Sequence, residues 1–207
     1  MKLVKKIRLT YTLQLLTGLY IGSNSDSIQI GGLDRSVIRT FKDGQLQPYI
    51  PGSSLKGKIR CLLEQVSGCV LCKNDEVNEL MGSLSSTAPS RLIVRDAYLT
   101  PDSLAALKKV NSMLTEAKTE NCIDRTKGIA SNPRTTERVP SGAEFLVEMI
   151  INVWENDNEK KLVALLEKGI RLLENDYIGG SGSRGYGQVK FEKESEVTLS
   201  SENNWKA

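Results

Sequence analysis

Apolar and polar residues alternate from Leu3 onward, with Leu3, Ile7, Leu9, Tyr11 and Leu13 on one parity, and this predicts a long strand over residues 3–16. The pattern then stops. Residues 17–39 are rich in Gly, Ser, Asp and Asn, which predicts a long irregular loop of the length usually kept for function, with Asp26 and Asp34 as candidate carboxylates. A helical period returns in Leu55, Ile59, Leu62, Leu63 and Val66, predicting a helix over 53–66 that Ser53 or Ser54 caps after the Gly52 turn. A short helix within 69–81, a polar loop over 83–90, a strand over 91–99 centred on Arg95 and Asp96, and a small helix over 101–110 follow.

The second half repeats the alternation. Residues 116–140 carry Lys118, Arg125, Lys127, Arg134 and Arg138 but few aliphatic residues, so they predict an extended hairpin that leans on something else. Phe145, Val147, Met149, Ile151 and Val153, over a second apolar set, predict a central strand at 143–154 packed on both sides. Leu162, Leu165, Leu166, Ile170 and Leu173 make a helix stripe over 158–174; a glycine-rich loop at 179–187 then feeds a last strand over 188–199. Strand, helix, strand, strand, helix, strand is the split arrangement of a ferredoxin-like α+β domain. One domain over 1–207 is expected, with insertions at 17–39, 67–90 and 116–140.

Composition narrows the chemistry. At 39% hydrophobic and 26% charged, the 207 residues suit a globular chain, and no apolar run is long enough to span a bilayer, so a soluble cytoplasmic protein is expected. The net charge of +3 is too small for a dedicated nucleic-acid domain, so any such site is local. The absence of histidine removes histidine general acid-base chemistry, catalytic triads and histidine-ligated metals. Cys69 and Cys72 have zinc-ligand spacing, and Cys61 and Cys122 would have to complete a tetrathiolate, but they form no second CxxC; reduced thiols are the expectation.

Two stretches point to phosphate. In Pro51 to Arg60, a glycine turn, two hydroxyls and the cations Lys56, Lys58 and Arg60 gather at a helix start, whose free amides and dipole favour an anion. Gly52, Gly57 and Lys58 fit a nucleotide loop only up to Ile59, which lacks the hydroxyl for magnesium. Gly180, Ser181, Gly182, Arg184 and Tyr186 lie in the second stretch. Its G-x-G-x-x-G follows a helix and opens a strand, the reverse of a dinucleotide fingerprint. Arg184 to Phe191 matches the RNA-recognition consensus except at Gln188, though in the fourth strand instead of the third. Bare backbone offered to a phosphate chain and a purely structural turn both remain open.

Six blocks in order resemble one family. They are Thr17 to Gly22, Ile30 to Asp34, Ile50 to Lys58, Val94 to Ala97, Asn121 to Pro140 and Leu173 to Gly180. The resemblance is to the repeated backbone subunit of type III-A CRISPR-Cas (Csm) effector complexes, in the RAMP superfamily. It implies a palm stacked head to tail along a guide RNA, with copies of itself and other Csm subunits as partners and no membrane. Gly52, Ser53, Ser54, Lys56, Gly57, Lys58, Arg60, Gly180, Ser181, Gly182, Arg184 and Tyr186 are then expected to hold RNA. Residues 116–140 resemble the family's thumb, which kinks the guide–target duplex, and Arg125 and Arg134 are expected to touch RNA there. Asp34 matches the catalytic aspartate, implying cleavage of bound target RNA with a divalent metal (Mg or Mn). Tyr20 stands where many relatives have histidine. A non-catalytic scaffold and a guide-processing endoribonuclease are the competing readings; lack of histidine counts against the latter.

Overall fold

The structure, a computed structural model, describes residues 2–23, 35–68, 74–83, 89–200 and 205. Asp26, Asp34, Cys69 and Cys72 lie outside the described residues.

The first strand, β1 (Leu3–Leu15), is an inner strand of the main sheet, and its alternation gives it one apolar face: Ile7, Leu9, Tyr11, Leu13 and Leu15 are all buried. β2 (Arg39–Lys42) and β3 (Gln45–Ile50) form a hairpin that the sequence reading did not predict, turned by Asp43 (φ 51°) and Gly44 (φ 78°). That pair of left-handed residues is the turn an Asp-Gly dipeptide favours. α1 (Gly52–Ser67) and α2 (Asp75–Met81) come next.

The strand predicted over 91–99 is two strands, β4 (Leu92–Val94) and β5 (Ala97–Leu99), both antiparallel to β8 (Glu144–Trp154). Val94 faces Met149 while Tyr98 faces Leu146, so four steps on one strand meet three on the other. The extra residue is a bulge at Arg95–Asp96, which turns the aspartate out of the ladder. α3 (Pro101–Val110) is capped by Thr100, whose Oγ1 accepts the Ser103 N–H at 3.3 Å. β6 (Glu116–Asp124) and β7 (Ile129–Arg138) form a separate two-stranded sheet. α4 (Glu159–Glu174) and β9 (Val189–Ser200) close the chain.

Every strand pair of the main sheet is antiparallel, and the order is β2, β3, β5, β8, β1, β9, with β4 beside β8. This is a mixed α and β fold on an antiparallel sheet. Leu55, Ile59 and Leu63 of α1 and Leu162, Leu166 and Ile170 of α4 share one core with β1 and β8. The two helices approach closely at Gly169, where a Cβ would lie 2.5 Å from Ile59 Cγ2. β8 is packed on one side, contrary to the two-sided expectation: Leu146 is 50% exposed, and of the alternate set only Ile150 is buried. No helix among the described residues is long and apolar enough to cross a membrane.

Candidate functional site

The β6–β7 hairpin stands off the main sheet, and its shape follows from two local features. At the tip, Asp124 Oδ1 accepts the amides of Thr126 (2.9 Å) and Lys127 (3.1 Å), and Gly128 takes φ 67°, leaving Arg125 exposed. Halfway along, Glu120 faces Arg134 but Cys122 faces Ser131, so β7 carries an extra residue at Asn132–Pro133. Proline has no N–H for the ladder and Asn132 takes φ 49°, which together expel that residue and bend the ribbon.

The hairpin base holds the neck of the 24–34 segment. Gly22 bridges Val37, the Ser23 N–H reaches the Ser36 carbonyl at 3.1 Å, and the Ile38 N–H reaches that of Ile21 at 2.8 Å. Arg35 forms a parallel bridge with Thr136, and its carbonyl accepts the Glu137 N–H at 3.0 Å. Glu137, which sequence reasoning missed, is 3% exposed. Its carboxylate accepts the Val37 N–H (2.8 Å), the Thr115 hydroxyl (2.6 Å) and the Arg39 guanidinium. Nothing local in Arg134-Thr-Thr-Glu-Arg138 sets it apart from the other charges of the segment.

Between hairpin, neck and glycine loop lies a cleft of about 390 Å³, lined by Arg35, Glu120, Cys122, Arg134, Thr136 and Arg184 among others. The structure thus brings Arg134 and Arg184 together, and it adds Arg35. Burial works against ionisation of Glu120, but Lys118, Tyr186 and Arg184 beside it outweigh this and hold its carboxyl below the usual range. It is an anion at neutral pH. It pairs with Lys118 at 3.0 Å and with Arg184 at 3.5 Å, while Arg184 also reaches Ser181 Oγ at 2.6 Å.

The glycine loop is chiefly a packing device on its inner side. A Cβ on Gly179 would collide with the Tyr20 carbonyl, one on Gly182 with the Tyr177 ring, and one on Gly187 with the Ile178 carbonyl. The amides of Gly180, Arg184, Gly185, Tyr186 and Gly187 all donate within the protein, Gly180 to the Tyr20 carbonyl at 2.8 Å. Gly185 alone of these faces open space. Tyr186, expected at the RNA, is 1% exposed, its ring between Lys118 Nζ (4.5 Å) and Arg138 Cζ (5.1 Å). Burial, with Glu120 beside it, pushes its phenol pKa up.

The start of α1 also departs from expectation. Neither Ser53 nor Ser54 caps it; the cap position is Pro51, and the Gly52 N–H donates to Asp96 Oδ1 at 2.8 Å. The anion favoured by that helix end is supplied by the protein. Lys56 points inward, donating to Ser90 Oγ and the Leu92 carbonyl, both at 2.8 Å, and burial, with Arg60 beside it, pushes its ammonium pKa down. Arg60 pairs with Glu64 on its own helix and ties α1 to α2 through Asn78 and the Gly82 carbonyl. Both are structural cations because α2 and β4 supply acceptors that no local pattern in α1 discloses. Lys58 joins the two sequence stretches: it pairs with Asp176 at 2.7 Å and sits 3.9 Å from the Tyr177 ring that backs Gly182. Ser53 and Gly57 are exposed.

No group of three metal-ligating side chains gathers among the described residues, and Cys61 and Cys122 are free, exposed thiols on α1 and β6. Among the described residues the cleft offers one carboxylate, Glu120, already shared between two cations.

Known proteins share this architecture. The model of the RAMP superfamily matches residues 12–190. The CRISPR system Cms endoribonuclease Csm3 of Methanocaldococcus jannaschii is 41% identical over 202 residues, covering 90% of this chain and 78% of that protein. The Csm3 of Streptococcus thermophilus is 41% identical over 205 residues, covering 94% and 90%. The crystal structure of a Csm3–Csm4 subcomplex of the type III-A CRISPR-Cas interference complex superposes with a TM-score of 0.60 at 31% identity, covering 95% of this chain and 91% of that one. The resemblance carried by the six ordered blocks is borne out: the chain belongs to the RAMP superfamily and, within it, to the family of the Csm3 endoribonucleases.

Proposed function

We propose that this chain is a repeated backbone subunit of a type III-A CRISPR interference complex. It binds guide RNA, stacks on copies of itself and on other Csm subunits, and cleaves guide-paired target RNA at regular intervals in the cytoplasm. The order β9, β1, β8, β4/β5, with α1 and α4 in one core against it, supports reading this part as a ferredoxin-like palm. The β6–β7 hairpin then serves as the thumb, with Arg125 at its tip and Arg134 halfway along it.

One observation carries the reading: the neck of the Asp34 segment is pinned to the thumb base, beside a cleft where Arg35, Arg134 and Arg184 converge. Asp34 is the proposed catalytic residue. The target 2′-hydroxyl, aligned in line by a kinked duplex, attacks the adjacent phosphorus as Asp34 takes its proton. The new 2′-oxygen–phosphorus bond forms as the bond to the 5′-oxygen breaks, and that oxygen takes a proton from water. The products are a cyclic phosphate and a free 5′-hydroxyl. Arg125, Arg134, Arg184, Lys58 and the exposed Ser53 and Gly57 position phosphates without reading sequence, which pairing with the guide supplies.

A donor set of one aspartate plus RNA phosphate oxygens and water suits Mg or Mn, and Asp34 would be the protein's share of it in the alternative where it holds the ion instead of taking the proton. When bound, such an ion would stabilise charge on the phosphoryl oxygens. The test is target cleavage by the reconstituted complex, wild type against Asp34→Ala, with target binding measured in parallel. Loss of the regularly spaced products with binding intact supports the reading; unchanged cleavage removes Asp34 from the chemistry.

A further inference from the structure

Arg35 is exposed, and no hydrogen bond or ion pair of its guanidinium occurs among the described residues. Its backbone is fixed all the same, by the bridge to Thr136 and the Glu137 N–H at 3.0 Å, and Val37 two residues on is held by the Glu137 carboxylate at 2.8 Å. A long cation on an immobile stem therefore lines the cleft that Arg134 and Arg184 also line. The three lie 50 to 149 residues apart in sequence, so only the fold brings them together. Among the described residues Arg134 likewise has no partner, and Glu120, the one carboxylate that lines the cleft there, is engaged by Lys118 and Arg184.

Like charges gathered around a single neutralised carboxylate repel one another, and an anion placed among them relieves that repulsion. Guanidinium forks match the paired oxygens of a phosphodiester, and about 390 Å³ accommodates one with its ribose. We propose that Arg35, Arg134 and Arg184 form one phosphodiester site, and that Arg35 holds the target strand at the point of cutting. The strand assignment rests on the catalytic reading of Asp34, which Arg35 follows directly in the chain: a residue joined to the cutting group contacts the strand that is cut.

The experiment places Arg35→Gln in every copy of the reconstituted complex, in an Asp34→Ala background that keeps the target intact. Guide RNA retained through purification and the Kd for matched target across a salt series are both measured. Guide content is expected to stay unchanged while target affinity falls about tenfold, as for a lost charge-assisted contact. The slope of log K against log salt should drop by about 0.7 to 0.9 for each copy engaged. Arg35→Lys should keep the slope and recover part of the affinity, since it retains the charge without the fork. Unchanged affinity and slope would overturn the site. Loss of guide with target slope unchanged would also overturn it, placing Arg35 on the other strand. An Asp34→Ala complex that still cuts defeats the catalytic reading instead, and the salt slope reports on Arg35 whichever way that result falls.

Discussion

Asp96 reaches back 44 residues to accept the Gly52 N–H at 2.8 Å, and by doing so it starts α1. Pro51 has no side-chain oxygen to cap the helix, and the bulge between β4 and β5 frees Asp96 to do it. Gly52 is required for the approach, because a Cβ there would collide with the Val94 carbonyl. Asp96→Ala should therefore cost about 1 to 2 kcal/mol, from the lost cap and the lost charge at the helix N-terminus. For a chain of this size that lowers the thermal unfolding midpoint by roughly 2 to 8 °C. Asp96→Asn keeps an acceptor and should cost less. Target cutting by the complex should be unaffected by either, since Asp96 is no part of the arginine cleft.

Glu137 gives the fold a pH dependence of defined sign. Its burial opposes ionisation, yet Arg39, Thr115 and the Val37 amide outweigh that and hold its pKa below the usual carboxylate value. A carboxyl whose folded pKa is depressed contributes stability that is complete above the unfolded value near 4.3 and is lost as pH falls from there through the folded value. The wild-type unfolding midpoint should fall as pH drops below about 4.3, and Glu137→Gln should flatten that part of the curve. At pH 7 the same variant should cost about 3 kcal/mol, because it leaves the half-buried Arg39 without its counter-charge. Adding Arg39→Met to Glu137→Gln should recover part of the loss, because the unpaired cation is gone while glutamine still accepts the Val37 N–H, and urea unfolding of the set measures it.

What the sequence disclosed depended on whether the cause was local. β1, α1 and α4 were legible because each displays its period within its own residues, as Ile7, Leu9 and Leu13 or Leu162, Leu166 and Leu173 do. The β2–β3 turn was legible too, in Asp43–Gly44, and went unread. The break at Arg95–Asp96 was not legible, since its reason is a bond to Gly52. Lys56 and Arg60 looked like phosphate ligands because residue type says nothing about direction, and the acceptors that turn them inward, Ser90, Leu92, Asn78 and Gly82, lie 18 to 36 residues away. The glycine loop was read by its missing side chains, but three of those spaces are filled by Tyr20, Tyr177 and Ile178. The Arg35, Arg134 and Arg184 cluster needed three segments to meet.

Gly57 and Gly182 separate the two uses of glycine. A Cβ at Gly57 meets nothing within 4 Å, on an exposed face of α1, so Gly57→Ala should stabilise the helix by about 0.8 to 1 kcal/mol and raise the midpoint by roughly 2 to 4 °C. At Gly182 the Tyr177 ring occupies the space. Gly182→Ala must displace that ring from Lys58, now 3.9 Å from its centroid, and should cost about 1 to 3 kcal/mol. If bare helix backbone at Gly57 is kept for RNA, its alanine variant should hold less guide in the purified complex despite the higher midpoint, a combination that no loss of folding can produce. That is the expected result. A higher midpoint with full guide content would instead make Gly57 an ordinary weak point of the helix and move the guide contact away from this face of α1.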